Sequence, residues 1–130
     1  MKKTVIIIAI ALGFSVTSLN AKNTVANLSN YEKVISKVTV SPFCTSIAKG
    51  DFETVKKLIE LGADVNKKSN GMTPLMYAAK YNRVEIIKLL VEQGAKIDAK
   101  SDSGHTAFKY AEMSNAQDAL KTISHLEKNS

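Results

Sequence analysis

The sequence has no tryptophan, one cysteine, two prolines and, at His105 and His125, only two histidines in 130 residues. A single cysteine excludes an intrachain disulfide and any zinc site built on several thiolates. Two histidines leave little from which to assemble a His-rich metal centre or a catalytic triad. The polar bias of a disordered chain is missing too, as is the end-to-end hydropathy of a membrane protein: 45% of the residues are hydrophobic and 23% charged. Those are ordinary proportions for one small globular domain.

What is there begins with a polarised N-terminus. Lys2 and Lys3 precede an apolar stretch, Val5 to Phe14, followed by the small polar residues Ser15, Thr17 and Ser18. This is the pattern of a secretory signal peptide. The run is about half of the ~20 residues that a permanent membrane anchor needs. Cleavage is expected after Ala21, with Ser18 as the alternative, and no cysteine follows closely enough to carry a lipid. The expected location is therefore periplasmic or secreted, with no membrane association after cleavage. Over residues 22–130 the charge falls to +4, with lysines spread among acids as on a solvated surface, so nucleic acid is not an expected partner.

The rest of the chain repeats itself. Gly71-Met72-Thr73-Pro74-Leu75 lies over Gly104-His105-Thr106-Ala107-Phe108 at an offset of 33, and Leu61-Gly62-Ala63-Asp64-Val65-Asn66 over Gln93-Gly94-Ala95-Lys96-Ile97-Asp98 at 32. Ser41-Pro42-Phe43 matches Thr73-Pro74-Leu75, again at 32, which divides the chain into units at about 39–70, 71–103 and 104–130. Within the second unit Thr73 and Pro74 form a helix start, and Ala78 and Ala79 let a neighbouring helix approach. A second helix is expected over Val84 to Glu92, apolar on more than one side as a helix sandwiched between repeats must be, and stopped by Gly94. Gly104 turns the following loop. Ahead of the repeats, Ser29-Asn30-Tyr31-Glu32 and the spacing of Tyr31, Val34, Ile35 and Val38 predict an amphipathic capping helix over 30–38.

"GMTPLMYAAKYNRVEIIKLLVEQGAKID" and "GDFETVKKLIELGADVN" resemble the ankyrin repeat, over roughly 90 residues. The resemblance implies an all-α solenoid of about three helix-turn-helix repeats with finger loops. The last repeat departs from the pattern, with Ala107 where proline is usual, Glu112 for the second alanine and no closing Gly-Ala; it reads as a terminal cap. The resemblance also implies a binding face formed by the fingertips and the exposed side of each first helix. Carried over by position, that face comprises Ser69, Asn70, Met72, Lys80 and Tyr81 in the second repeat. In the third it comprises Asp102, Ser103, His105, Met113 and Ser114, and in the first it falls near Val40, Ala48 and Lys49. Met72, Tyr81, His105 and Met113 carry most weight, because Met and Tyr offer large adaptable contact area. The partner implied is another protein, engaged by a monomer.

Other chemistry has weaker footing. Cys44 reads as a buried small hydrophobe, the alternatives being an intermolecular disulfide or a metal or haem ligand; Cys44-Thr45-Ser46-Ile47 excludes the covalent haem motif. A copper site from Met72, His105 and Met113 lacks a dense ligand tract. Asp51, Glu53, Glu60, Asp64, Glu85, Glu92 and Asp98 are accounted for by helix starts, solvated faces and loops, so no enzyme and no resident cofactor is expected. Resemblance to small exported bacterial ankyrin proteins implies an accessory factor for an exported or haem enzyme such as catalase. The alternatives are an immunity protein against a toxin of the same compartment, and a non-covalent haem or small-ligand carrier using Tyr81, His105 or a methionine.

Overall fold

The computed structural model describes residues 39–130. The leader expected over 1–21 and the capping helix expected over 30–38 lie outside the described residues. Six helices follow one another: α1 (Pro42–Lys49), α2 (Phe52–Glu60), α3 (Pro74–Lys80), α4 (Val84–Glu92), α5 (Ala107–Met113) and α6 (Gln117–Lys128). Among the described residues the only ladder is one isolated antiparallel bridge, Ser69 with Met72, at the base of a finger. The fold is the expected all-α solenoid of three helix pairs.

The same chemistry starts each inner helix. Ser41, Thr73 and Thr106 are the N-caps of α1, α3 and α5, and their hydroxyls accept the N–H groups of Cys44, Met76 and Lys109. Proline follows the cap in α1 and α3, where its missing N–H leaves no bond unmade. At Thr73 the cap is reciprocal, since its own N–H meets the Met76 sulfur at 3.3 Å. The turn joining the two helices of each repeat needs a left-handed residue, and Gly50, Asn82 and Asn115 supply it with φ of 77°, 57° and 54°. Glycine has a second reason at 50: an added Cβ would lie 3.1 Å from the Arg83 guanidinium. Gly94, with φ 93°, ends α4 as expected. There the N–H groups of Gly94 and Ala95 close on the carbonyls of Val91 and Leu90.

Stacking inner helix on inner helix and outer on outer buries one continuous core. Ala78, Ala79 and Ala111 are fully buried, and their small side chains let α3 and α5 pack closely. In α4, Ile86, Ile87 and Leu90 are buried while Leu89 and Val91 are half-buried, which is why its hydrophobic stripe is wide. The third repeat ends differently. Its outer helix α6 runs 12 residues where α2 and α4 each have 9, presenting Lys121, His125 and Glu127 outward.

Polar side chains cross between repeats. Arg83 Nε and Nη2 both donate to the Ala48 carbonyl, at 3.0 and 2.8 Å, satisfying the C-terminal end of α1 from the next repeat. Asn82 Oδ1 accepts the Ala119 N–H at 2.9 Å. That bond caps α6, whose own N-cap residue Ala116 offers no side-chain acceptor. Asn66 joins two loops, donating to the Gly94 carbonyl and accepting from the Lys96 N–H.

Candidate functional site

The fingers and inner helices form one side of the array, and two tyrosines at an offset of 33 tie finger to helix there. The Tyr77 hydroxyl donates to the Ser69 carbonyl at 2.9 Å. In the next repeat the Tyr110 hydroxyl donates to Ser101 Oγ at 3.1 Å and lies 3.2 Å from Ser103 Oγ. His105 Nδ1 is 3.2 Å from the same Ser103 hydroxyl, and its ring is tilted against Tyr110 with centroids 5.8 Å apart. Ser101, Ser103, His105 and Tyr110 thus form a hydrogen-bonded cluster at the third finger.

Environment separates the two phenols. Burial pushes the Tyr77 hydroxyl above the usual tyrosine range. Hydrogen bonding with Ser101 and Ser103 brings Tyr110 below it, aided by the charge of Lys80. Cys44, equivalent to Met76 in the next repeat, is fully buried, and burial raises its thiol above the ordinary value.

The expected site residues divide by what else they do. Tyr81 and Met113 are exposed, at 44% and 62%, and stand at the C-terminal ends of the adjacent helices α3 and α5. Lys80 is exposed beside them, its ammonium 5.6 Å from the Tyr81 ring centroid. Asn70 is exposed at the second fingertip with φ 51°. Asp102 is exposed but engaged, its carboxylate 3.1 Å from Lys68 Nζ and its N–H donated to the Gly71 carbonyl. Ser103 and His105 belong to the hydroxyl cluster.

Ser69 and Met72 are bound into the fold. The Ser69 hydroxyl accepts the Ser41 N–H at 2.7 Å, joining the first two repeats. Met72 is half-buried and packs against the core, where the sequence places it clear of the packing. The reason is the short second finger: Ser69 and Met72 pair directly, which turns Met72 inward over its own repeat. Tyr110 is the face residue that the positional transfer omits, and its recurrence with Tyr77, each eight or nine residues after a finger serine, is the signal that finds it.

Among the described residues no group of three or more His, Cys, Asp or Glu could hold a metal ion. On the opposite side an open groove of about 490 Å³ runs between α4 and α6, with Val91 and Leu126 in its wall and Lys88, Lys121 and His125 at its edge.

Residues 43–130 match the family model described as ankyrin repeats in three copies. The chain belongs to the ankyrin repeat family. Similar proteins include the rat ankyrin repeat and SAM domain-containing protein 6 (Rattus norvegicus), 31% identical over 68% of this chain and 10% of its own length. A putative ankyrin repeat protein of Rickettsia bellii is 32% identical over 65% of this chain and 55% of its own. Protein phosphatase 1 regulatory subunit 12A of Mus musculus is 37% identical over 62% and 8%. The chain thus spans about half, or a tenth or less, of these relatives. Ankyrin repeats bind other proteins, and no helix among the described residues of this array is long and apolar enough to cross a membrane.

Proposed function

We propose that this ankyrin array is an exported, non-enzymatic binding protein that grips one protein partner through its fingers and inner helices. The observation that carries the reading is the placement of Tyr81 and Met113. Among the described residues, two of the three large exposed hydrophobic side chains stand at the C-terminal ends of adjacent inner helices, with Lys80 over the Tyr81 ring. The outer helices are committed to packing by Ile86, Ile87, Leu90 and Ile123. A protein whose polar clusters are spent on internal hydrogen bonds, with an aromatic and a methionine left outward on one side, is equipped to bind and not to catalyse.

Export rests on Lys2, Lys3 and the Val5 to Phe14 stretch. The partner is an exported enzyme, haem enzymes such as catalase included, whose maturation the array assists; that class comes by analogy with small exported ankyrin proteins. Crosslinked capture from the native periplasm tests the reading. Wild type is expected to retain one enzyme, and the Tyr81→Ala, Met113→Ala double variant to lose it with an unchanged thermal midpoint. Loss of an anchor of this kind costs about 2 kcal/mol or more of binding. Capture that survives the double variant but fails on charge reversal at Lys56 and Lys88 puts the site on the outer helices. Capture of a toxin makes the array an immunity protein, and a Soret shift on adding haem makes it a carrier.

A further inference from the structure

Charge is sorted between the two sides of the array. The fingers and inner helices, residues 39–49, 67–81 and 99–113, carry Lys49, Lys67, Lys68, Lys80, Lys100 and Lys109 against only Asp102 and Glu112. The outer helices and their turns carry seven basic residues against nine acids. Both acids of the finger side are already held, Asp102 by Lys68 at 3.1 Å and Glu112 by Lys109 at 3.0 Å. Lys49, Lys67, Lys80 and Lys100 are exposed and make no ion pair among the described residues. The weak overall excess of the described chain is thus the difference between a basic face and a mildly acidic back.

Resting on the reading of this side as the binding face, we infer that it takes an acidic protein segment, whose carboxylates meet Lys67, Lys80 and Lys100 around an apolar contact on Tyr81 and Met113. Lys80 ties the parts together. Its ammonium lies 5.6 Å from the Tyr81 ring centroid, so a carboxylate arriving beside Tyr81 meets a cation at the edge of the apolar contact. Complementary charge of this kind orients and accelerates docking, and it is screened by salt. A protein fits better than a nucleic acid. The single arginine, Arg83, is spent on the Ala48 carbonyl, which leaves no bidentate phosphate fork. Lysines carried on successive fingers and an inner helix, without an arginine among them, suit the carboxylates of an acidic protein segment.

The probe is fluorescent poly-L-glutamate, titrated by anisotropy into the purified chain at several salt concentrations, so no physiological partner is needed. Saturable binding that weakens with salt is expected. The triple variant Lys67→Glu, Lys80→Glu, Lys100→Glu should weaken it about tenfold or more, while Lys56→Glu, Lys57→Glu, Lys121→Glu, which changes net charge equally from the back, should weaken it less than about twofold. Both triples replace exposed lysines, and circular dichroism checks that each stays folded. Equal loss in the two variants overturns the inference, because attraction then follows net charge and not the face. An oligonucleotide of matched charge that binds more tightly through the same three lysines overturns it in favour of nucleic acid. The outcome is separable from that of the function proposed above: if poly-L-glutamate ignores the face while crosslinked capture still depends on Tyr81 and Met113, the acidic partner is refuted and the face stands.

Discussion

Asn82 holds a left-handed turn within its own repeat and caps the outer helix of the next, two tasks that a substitution can separate. Glycine keeps the positive φ and removes the amide, so Asn82→Gly should lower stability by about 1 kcal/mol, the usual net worth of one such bond. Chemical denaturation of the two proteins measures it, and an unchanged midpoint would mean that the bond to Ala119 contributes nothing. Asp51 caps α2, accepting the Thr54 N–H and hydroxyl. Those bonds hold its carboxyl below the ordinary range. A depressed native pKa means that the contribution is complete above the unfolded value, ~3.9, and is lost as pH falls through the folded one. Between pH 5 and pH 2 the thermal midpoint of Asp51→Asn should therefore fall less than that of wild type, and parallel curves would refute the linkage. At Cys44 the expectation is inertness: a thiol reagent should label it only when denaturant opens the repeat, since the side chain is fully buried and burial disfavours the thiolate.

At the scale of elements, α4 shows why its sequence reads so plainly. It packs against α2 on one side and α6 on the other, so it needs an apolar surface wider than one stripe, and Val84-Glu85-Ile86-Ile87-Lys88-Leu89-Leu90-Val91 provides it. The expected bounds, Val84 to Glu92, are the bounds found. Leu90 is fully buried, and Leu90→Ala should cost ~2–5 kcal/mol, enough to unfold much of a short array. Thermal melting followed by circular dichroism checks this, and an unshifted midpoint would put Leu90 outside the contact between repeats. The fingers were less legible than the helices. Their helix caps lie in Ser41, Thr73 and Thr106, but whether a finger residue points out or folds back depends on its closing bonds. Ser69 pairs with Met72, whereas the Ser101 N–H reaches the His105 carbonyl one residue further on, and only the longer finger gathers a hydroxyl cluster.

For the whole molecule, the solenoid makes stability a matter of neighbours. Each repeat finishes part of another: Arg83 closes α1, Asn82 caps α6, and Asn66 bridges successive loops. Coupled nearest neighbours unfold together in so short an array. Arg83→Lys keeps the positive charge and loses the two-pronged grip on Ala48, so it should destabilise the first repeat most. Hydrogen exchange resolves this, with protection in Pro42–Lys49 expected to fall before that of Val84–Glu92; uniform loss would show that the bond serves the array as a whole. Both layers of the array pack, and among the described residues the exposed Tyr81 and Met113 lie at the ends of inner helices and the exposed Leu61 at the end of an outer one.

The repeat itself was fixed in the order of the residues, because its determinants are local. A hydroxyl three residues before the N–H it caps, a proline at the first turn, a glycine or asparagine where φ must be positive, and alanines where helices meet all act within a few positions, and each recurs at 32 or 33. Which residues fall in the fingers and inner helices followed from the same register. What needed the tertiary structure was the fate of individual polar residues, on the face and in the turns, since it turns on partners 28 to 37 positions away. Ser69 is consumed by the Ser41 N–H, Asp102 by Lys68, and Asn82 by Ala119. Periodicity tells which side a residue occupies; only the folded chain determines whether its polar atoms are already bonded or remain available to a partner.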